Sequence, residues 1–316
     1  MGQPEVAAET SPARETDPPE ATLWHKIAML AAVAGPFAGM VGAVVSAWRY
    51  GYMNWFYLSL MLLGWFFTGT GITVGYHRLF AHKAFDTYRW IRWYWMIMGA
   101  LAVQASPLAW CAVHRRHHAT TDRPGDPHSP HIHGDGWWAA VKGFWYSHTG
   151  WLFTGYLVRT DHQRYVPDLL DDPVAVWIHR YYETVLVPLS LAIPALIAGL
   201  VTGTWQGAWL GFLWGGLARV FMVHHITWSV NSICHLFGRC DYRINDHSRN
   251  NLFVALASFG EGWHNNHHAF PSSARQGLKW WQIDVSWYII RTMEVLGLAW
   301  NVQLPSERAL ATRSLR

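Results

Sequence analysis

Three short stretches concentrate side chains able to hold metal: HRLFAH at 77–82, HRRHH at 114–118 and HNNHH at 264–268. In the second and third, histidines stand at i, i+3 and i+4, so on a helix they leave one face toward a common point. In the first, a spacing of five would turn the two rings roughly 140° apart on a continuous α-helix. His77 is therefore expected to end a helix and His82 to lie just past it. The stretch NSICH at 231–235 sets Asn231 and His235 one helical turn apart and could complete the site. Eight imidazoles from the boxes, with His235, are too many for one tetrahedral zinc and suit two metals of five or six coordination. Imidazole suits Fe, Zn, Cu or Ni, so the ligands alone do not select the metal. Soluble di-iron carboxylate bundles need two ExxH pairs; this chain has one, Glu261–His264, which excludes that architecture. Two readings stand for Glu261: a base that orients a ligand imidazole, or the start of a helix near positive charge.

The elements that must position these residues follow from composition. The 316 residues are 51% hydrophobic and 14% charged, yet mean hydropathy is only +0.04, so membrane spans must alternate with polar regions. Residues 1–23 read as a disordered tail with no signal peptide. Segments 27–47 and 55–76 are each long enough to cross a bilayer and form one hairpin; 186–201 and 205–226 repeat the pattern across the turn TGT. Trp90–Val113 is apolar and long enough to span, but histidine clusters lie on both sides of it. If those clusters share a site, the segment lies in the interface or doubles back. Residues 77–184 hold eleven of the 24 Lys and Arg, while the hairpin turns hold only Arg49, which puts the histidine region and both termini in the cytoplasm. Ile283–Trp300 reads as an amphipathic helix and 305–316 as a C-terminal tail. The expected fold is an all-α integral membrane protein: four transmembrane helices in two hairpins, with a cytoplasmic helical cap (77–184 and 227–304) carrying a di-metal site. In a bacterium this is the inner membrane. Cys111, Cys234 and Cys240 form no CxxC pair and read as thiols, and the formal charge of +4 needs no nucleic-acid partner.

GITVGYHRLFAH, HRRHHATTD followed by DPHSP, SHTGW, TWSVNSICH and GEGWHNNHHAFP resemble signature stretches of the membrane fatty acyl desaturases. The likeness is to the stearoyl-CoA-type delta-9 group and covers about residues 50–300. Alkane hydroxylases, membrane fatty acid hydroxylases and sterol oxidases share three boxes of similar spacing, but the last two stretches point to the desaturase branch. The resemblance implies one iron held by His77, His82, His114, His118 and His267. It implies a second held by His117, His235, His264 and His268, with Asn231 reaching it through water. Gln104 would help set the bend of an acyl tunnel, and Trp110, Thr227 and Trp228 would line it. His128 and His148 lie in family-like stretches as supporting groups beside the ligands. One departure matters: the animal acyl-CoA enzymes carry Arg–Asp immediately before the second box, where this chain has Ala112 and Val113. A long-chain acyl-CoA is the first expected substrate, with acyl groups on a glycerolipid or acyl carrier protein behind it.

Removing hydrogen from an unactivated methylene is beyond any side-chain base, so an oxidant made from dioxygen at the metals is required. Two electrons must come from outside, because the chain shows neither an HPGG haem motif nor a flavin fingerprint. The expected donor is a ferredoxin, cytochrome or flavoprotein reductase. The nearest alternative is an acyl or alkane hydroxylase on the same scaffold. A zinc transporter or sensor is disfavoured because the clusters lie at span ends rather than within spans. Each of the nine box and NSICH histidines is expected to be indispensable, and His25, His162 and His179 to tolerate replacement.

Overall fold

A computed structural model describes residues 19–51 and 54–315; most of the expected N-terminal tail lies outside them. Among the described residues, three helices are long and apolar enough to cross a membrane: Leu23–Tyr50, Trp55–Ala81 and Pro173–Thr202. Each boundary has a local cause. Thr22 Oγ1 accepts from the His25 amide at 3.2 Å and caps the first helix, which stops at Gly51 in the left-handed conformation (φ 64°). Asn54 caps the second, Asp172 the third, and Gly203 (φ 67°) ends the third. The third starts well before the expected 186, and the second runs past 76 to Ala81.

The fourth expected span lies in a helix too, continuous over 205–236, with a π-helical stretch at Phe212–Ala218. It is not among the three apolar enough by composition. It packs closely on the third: a Cβ on Gly211 would lie 2.4 Å from the Pro194 carbonyl oxygen, so only glycine permits the approach. Buried Arg219 on this helix donates to the carbonyls of Gly215, Leu101 and Ser190 and to Ser190 Oγ, at 2.7–3.1 Å. Outward faces of the third helix are apolar and bare, with Leu200 75% and Val201 65% exposed. A bilayer covers such a surface.

The ambiguous stretch Trp90–Val113 does not run through as one rod. It forms helices Arg89–Ala100 and Pro107–Thr120, separated by a turn in which Val103 (φ 60°) and Ala105 (φ 121°) adopt positive φ. Ser190 Oγ donates to the Leu101 carbonyl at 2.6 Å and the Ala105 amide to Tyr182 Oη at 2.9 Å, so the freed backbone is satisfied. Residues 77–82 and 114–118 thereby come together.

The C-terminal third supplies short helices, Leu252–Ala257, His264–Ala269 and Val285–Val295. The last buries Ser286, Ile290 and Met293 along one stripe, within the span expected to be amphipathic. Beyond it Ala299–Trp300 pairs antiparallel with Asp86–Thr87, four residues after His82. Residues expected as a tail contain the helix Glu307–Arg313, and the Leu315 amide donates to the Asp241 carbonyl at 2.9 Å. A core of Ile72, Tyr76, Phe80, Trp95, Leu108, Ile178 and Ile290 binds the cap to the second helix.

Candidate metal centre

The spacing of five in the first box is resolved by a change of helix type. Gly71–Ala81 is π-helical, and the His82 amide donates to the His77 carbonyl at 3.0 Å, an i→i+5 bond. Five residues then make about one turn, so His77 and His82 lie on one side with ring centroids 4.9 Å apart. The wider coil needs room. Gly71 provides it: a Cβ there would sit 2.4 Å from the Gly99 nitrogen on the neighbouring helix.

The other boxes do not point at a single centre. On an α-helix the i+3 and i+4 positions diverge by roughly 100°, and the chain uses that angle. His114 and His118 join His77, His82 and His267, while His117 joins His235, His264 and His268. Within each group the ring nitrogens lie within 4.8 Å of one another. The nine histidines named on the family resemblance are thus brought together in two groups. Facing Nε2 atoms approach closely: His82 to His114 at 2.7 Å, His118 to His267 at 2.9 Å, His77 to His267 and His235 to His264 at 3.1 Å.

Carboxylates fix the outer nitrogens. Asp126 accepts from His117 Nδ1 at 2.9 Å, Asp122 from His235 Nδ1 at 3.1 Å and Asp246 from His268 Nδ1 at 3.2 Å, while Glu261 pairs with His77 Nδ1. Such partners hold the proton on Nδ1 and leave the Nε2 lone pair aimed inward. Nε2 of His117 and of His268 are buried without a hydrogen-bond partner, which in a native site signals a missing ligand. Burial first, then crowding by neighbouring imidazoles, pushes His82, His114, His118, His264 and His267 well below the usual imidazole range, so they stay neutral. His117 goes the other way: burial opposes its charge, but Asp126 outweighs that and raises it. A buried nest of imidazoles with inward lone pairs fits two cations of intermediate softness.

An apolar cavity of about 690 Å³ leads to this nest, within the size of sites for long small molecules. Gln104, Trp110, Thr227, Trp228 and Asn231 are all on its wall. Gln104 Nε2 donates to Thr227 Oγ1 at 2.8 Å, and Trp110 stacks on His114 with centroids 5.0 Å apart. A small cavity of about 50 Å³ shares Trp110, His114, His128, Thr227 and Asn231 with the large one. It is also lined by Trp65 and Phe259, whose rings lie 4.6 Å apart.

Residues 52–297 match the profile of the fatty acid desaturase family. The chain belongs to that family. The desaturase is 42% identical over 80% of its length to the delta-9 acyl-lipid desaturase 1 of Arabidopsis thaliana, covering 77% of that protein. It is 39% identical to the sn-1 stearoyl-lipid 9-desaturase of Anabaena variabilis over 78% of this chain and 84% of that one. A hex-5-enoyl-[acyl-carrier protein] acetylenase of Moorena producens (strain JHB) is 40% identical over 89% of this chain and 87% of its own.

In the desaturase, Glu261 does more than begin a helix: besides His77 it accepts from Arg78 Nη2 at 3.2 Å. His128 lies against His117 with ring centroids 4.4 Å apart, and burial lowers it to about 3. His148 instead bonds Ser232 Oγ at 2.9 Å and His225 Nδ1 at 3.0 Å, partners outside both histidine groups. Spacing alone did not single out Asp122, Asp126 or Asp246, although two of them stand in HRRHHATTD and DPHSP. For Asp122, four residues past His118, a carboxylate one turn beyond a histidine box was the available signal; Asp126 and Asp246 stand farther along the chain and offered none. The arginines inside the boxes were missed as well. Arg78 bridges Asp284 at 2.9 Å and the Ala274 carbonyl at 2.9 Å. Arg115 grips both Asp168 oxygens at 2.6 and 3.0 Å and the carbonyls of Phe80 and Ala81 that end the π-helix. His25, His162 and His179, read from sequence as dispensable, all line the large cavity.

Proposed function

We propose that this desaturase places a cis double bond at the delta-9 position of a long saturated acyl chain, using dioxygen and two irons held by the nine histidines. The observation that carries the reading is the junction of an apolar cavity of about 690 Å³ with two groups of clustered imidazoles at Trp110 and His114. His77, His82, His114, His118 and His267 would hold one iron. His117, His235, His264 and His268 would hold the other, with Asn231 acting through water. When bound, the irons supply an oxidant derived from dioxygen that can take hydrogen from an unactivated methylene. Overall, one dioxygen, two electrons, two protons and two hydrogens of the chain give one alkene and two waters.

The protein's share is positioning. An acyl chain offers no polar handle near the reacting carbons, so register comes from cavity shape, with the Gln104–Thr227 pair and Trp110 shaping the wall beside the histidines. Trp228 and His128 complete the water-poor lining, and the four carboxylates keep the imidazoles in one tautomer.

For the carrier, a membrane lipid is favoured over coenzyme A or acyl carrier protein. Ala112 and Val113 are uncharged and buried, so the position before the second box offers nothing to a phosphate-bearing carrier. The cavity is also lined by His25 and Met29 from the first helix and by Arg180, Glu183 and Val187 from the N-terminal half of the third, where lipid would enter. In this reading the helix over 205–236 is the fourth span, and the cap and both termini face the cytoplasm.

Expression in a host lacking delta-9 monoenes tests this, with double-bond mapping in the lipid, CoA and carrier-protein pools separately. New delta-9 monoenes appearing first in lipid support the proposal; hydroxy acids without monoenes would sink it. Purified protein should hold two irons per chain, and one exchangeable zinc with no oxygen consumption would contradict the metal assignment.

A further inference from the structure

The buried histidine groups have a thin cover at one place. The ring of exposed His247 lies 4.2 Å from that of His131, and His131 Nε2 bonds the His235 carbonyl oxygen at 2.9 Å. The His247 amide donates to Asp122 Oδ2 at 2.8 Å, the same oxygen that accepts from His235 Nδ1 at 3.1 Å. Two hydrogen bonds thus join the surface to a histidine of the second group, through the loops at 119–134 and 237–250.

Most carboxylates of these loops are engaged: Asp122 and Asp126 with histidines, Asp246 with His268, and Asp241 with Lys279, Asn250 and Gln282, while Asp135 at the end of the first loop is exposed. Arg123, Arg239 and Arg243 are exposed in the same two loops as His247. None of the three, nor His247, lines the acyl cavity. A cationic face beside a bonded route to the site, and outside the cavity lining, suits an electron carrier of opposite sign.

We infer that the face formed by Arg123, Arg239 and Arg243 docks a small acidic one-electron carrier protein and that electrons enter through the rings of His247 and His131 to His235. This rests on the reading of the chain as an oxygen-dependent desaturase. Each docking delivers one electron: the carrier is oxidised, the site reduced, and two dockings supply the pair each turnover needs.

The test uses full-length iron-loaded protein in nanodiscs and an acidic [2Fe–2S] ferredoxin as the probe. Wild type should bind it with an affinity that falls steeply with salt, and R123E/R239E/R243E should weaken binding about tenfold or more at low salt. Product formed in a single turnover after chemical reduction by dithionite should be the same in both. His247→Leu should keep the affinity and iron content yet slow ferredoxin-driven reduction severalfold, followed by absorbance. Equal ferredoxin affinity for wild type and the charge-reversed variant overturns the docking face, and an unchanged reduction rate in His247→Leu overturns the route. Binding and reduction are both measured without turnover, so either failure is distinguishable from a failure to form any monoene.

Discussion

Imidazoles and carboxylates divide the work at the centre. The histidines present lone pairs; Asp122, Asp126, Asp246 and Glu261 decide which nitrogen presents them. Replacing a ligand and replacing its support therefore differ in kind. His264→Ala should abolish product and lower bound iron, since its ring faces His235 across 3.1 Å. Asp246→Asn should keep the fold and weaken iron retention about 10–100-fold, measured by chelator competition on the purified protein. Iron content equal to wild type in His264→Ala would contradict the assignment. The histidines were legible because their type and number are unusual. The carboxylates were not, because an Asp after a helix is ordinarily a turn residue.

At the scale of elements, the deciding feature is the π-helical end of the second apolar helix. Sequence periodicity assumes 3.6 residues per turn, which separates His77 from His82; the observed winding brings them together. Close packing supports that winding. Gly71→Ala should cost about 1–3 kcal/mol by forcing the neighbouring helix outward, read as a lower thermal midpoint, and Gly71→Val should cost more and reduce iron content. Gly51→Ala, at the open end of the first helix with nothing within 4 Å, should leave iron content unchanged. The same limit on periodicity explains the break after Ala100: nothing in that apolar run announces positive φ at Val103 and Ala105, which Tyr182 and Ser190 from a distant helix accommodate.

For the whole molecule, the cap is clamped to the spans by buried cations. Arg219 gathers carbonyls from three separate segments, and Arg219→Met should lower the thermal midpoint by leaving them unpaired. Arg115 ties the second box to Asp168, whose side chain is 30% exposed. Burial alone would raise that carboxyl, but hydrogen bonds from Arg115 and Lys83 bring it down to about 2. A depressed carboxylate stabilises the fold at pH values above its unfolded range, near 4, and that contribution is lost as pH falls toward 2. Asp168→Asn should cost about 1 kcal/mol at pH 7 after solvent screening, with the gap from wild type closing below pH 4. A gap that widens on acidification would refute the pairing.

The chain's own residues determined the chemistry and its class: nineteen histidines in an apolar sequence, boxed at short spacings, and apolar segments long enough to span. These are local properties, written in residue type and separation. Tertiary structure decided what separation cannot express. It wound five residues into one turn, broke Trp90–Val113 at a turn of positive φ and brought His25, His162 and His179 to the cavity wall. Each of those outcomes depends on a partner far away in the chain or on a backbone state that only packing selects, and for that reason no spacing rule contained them.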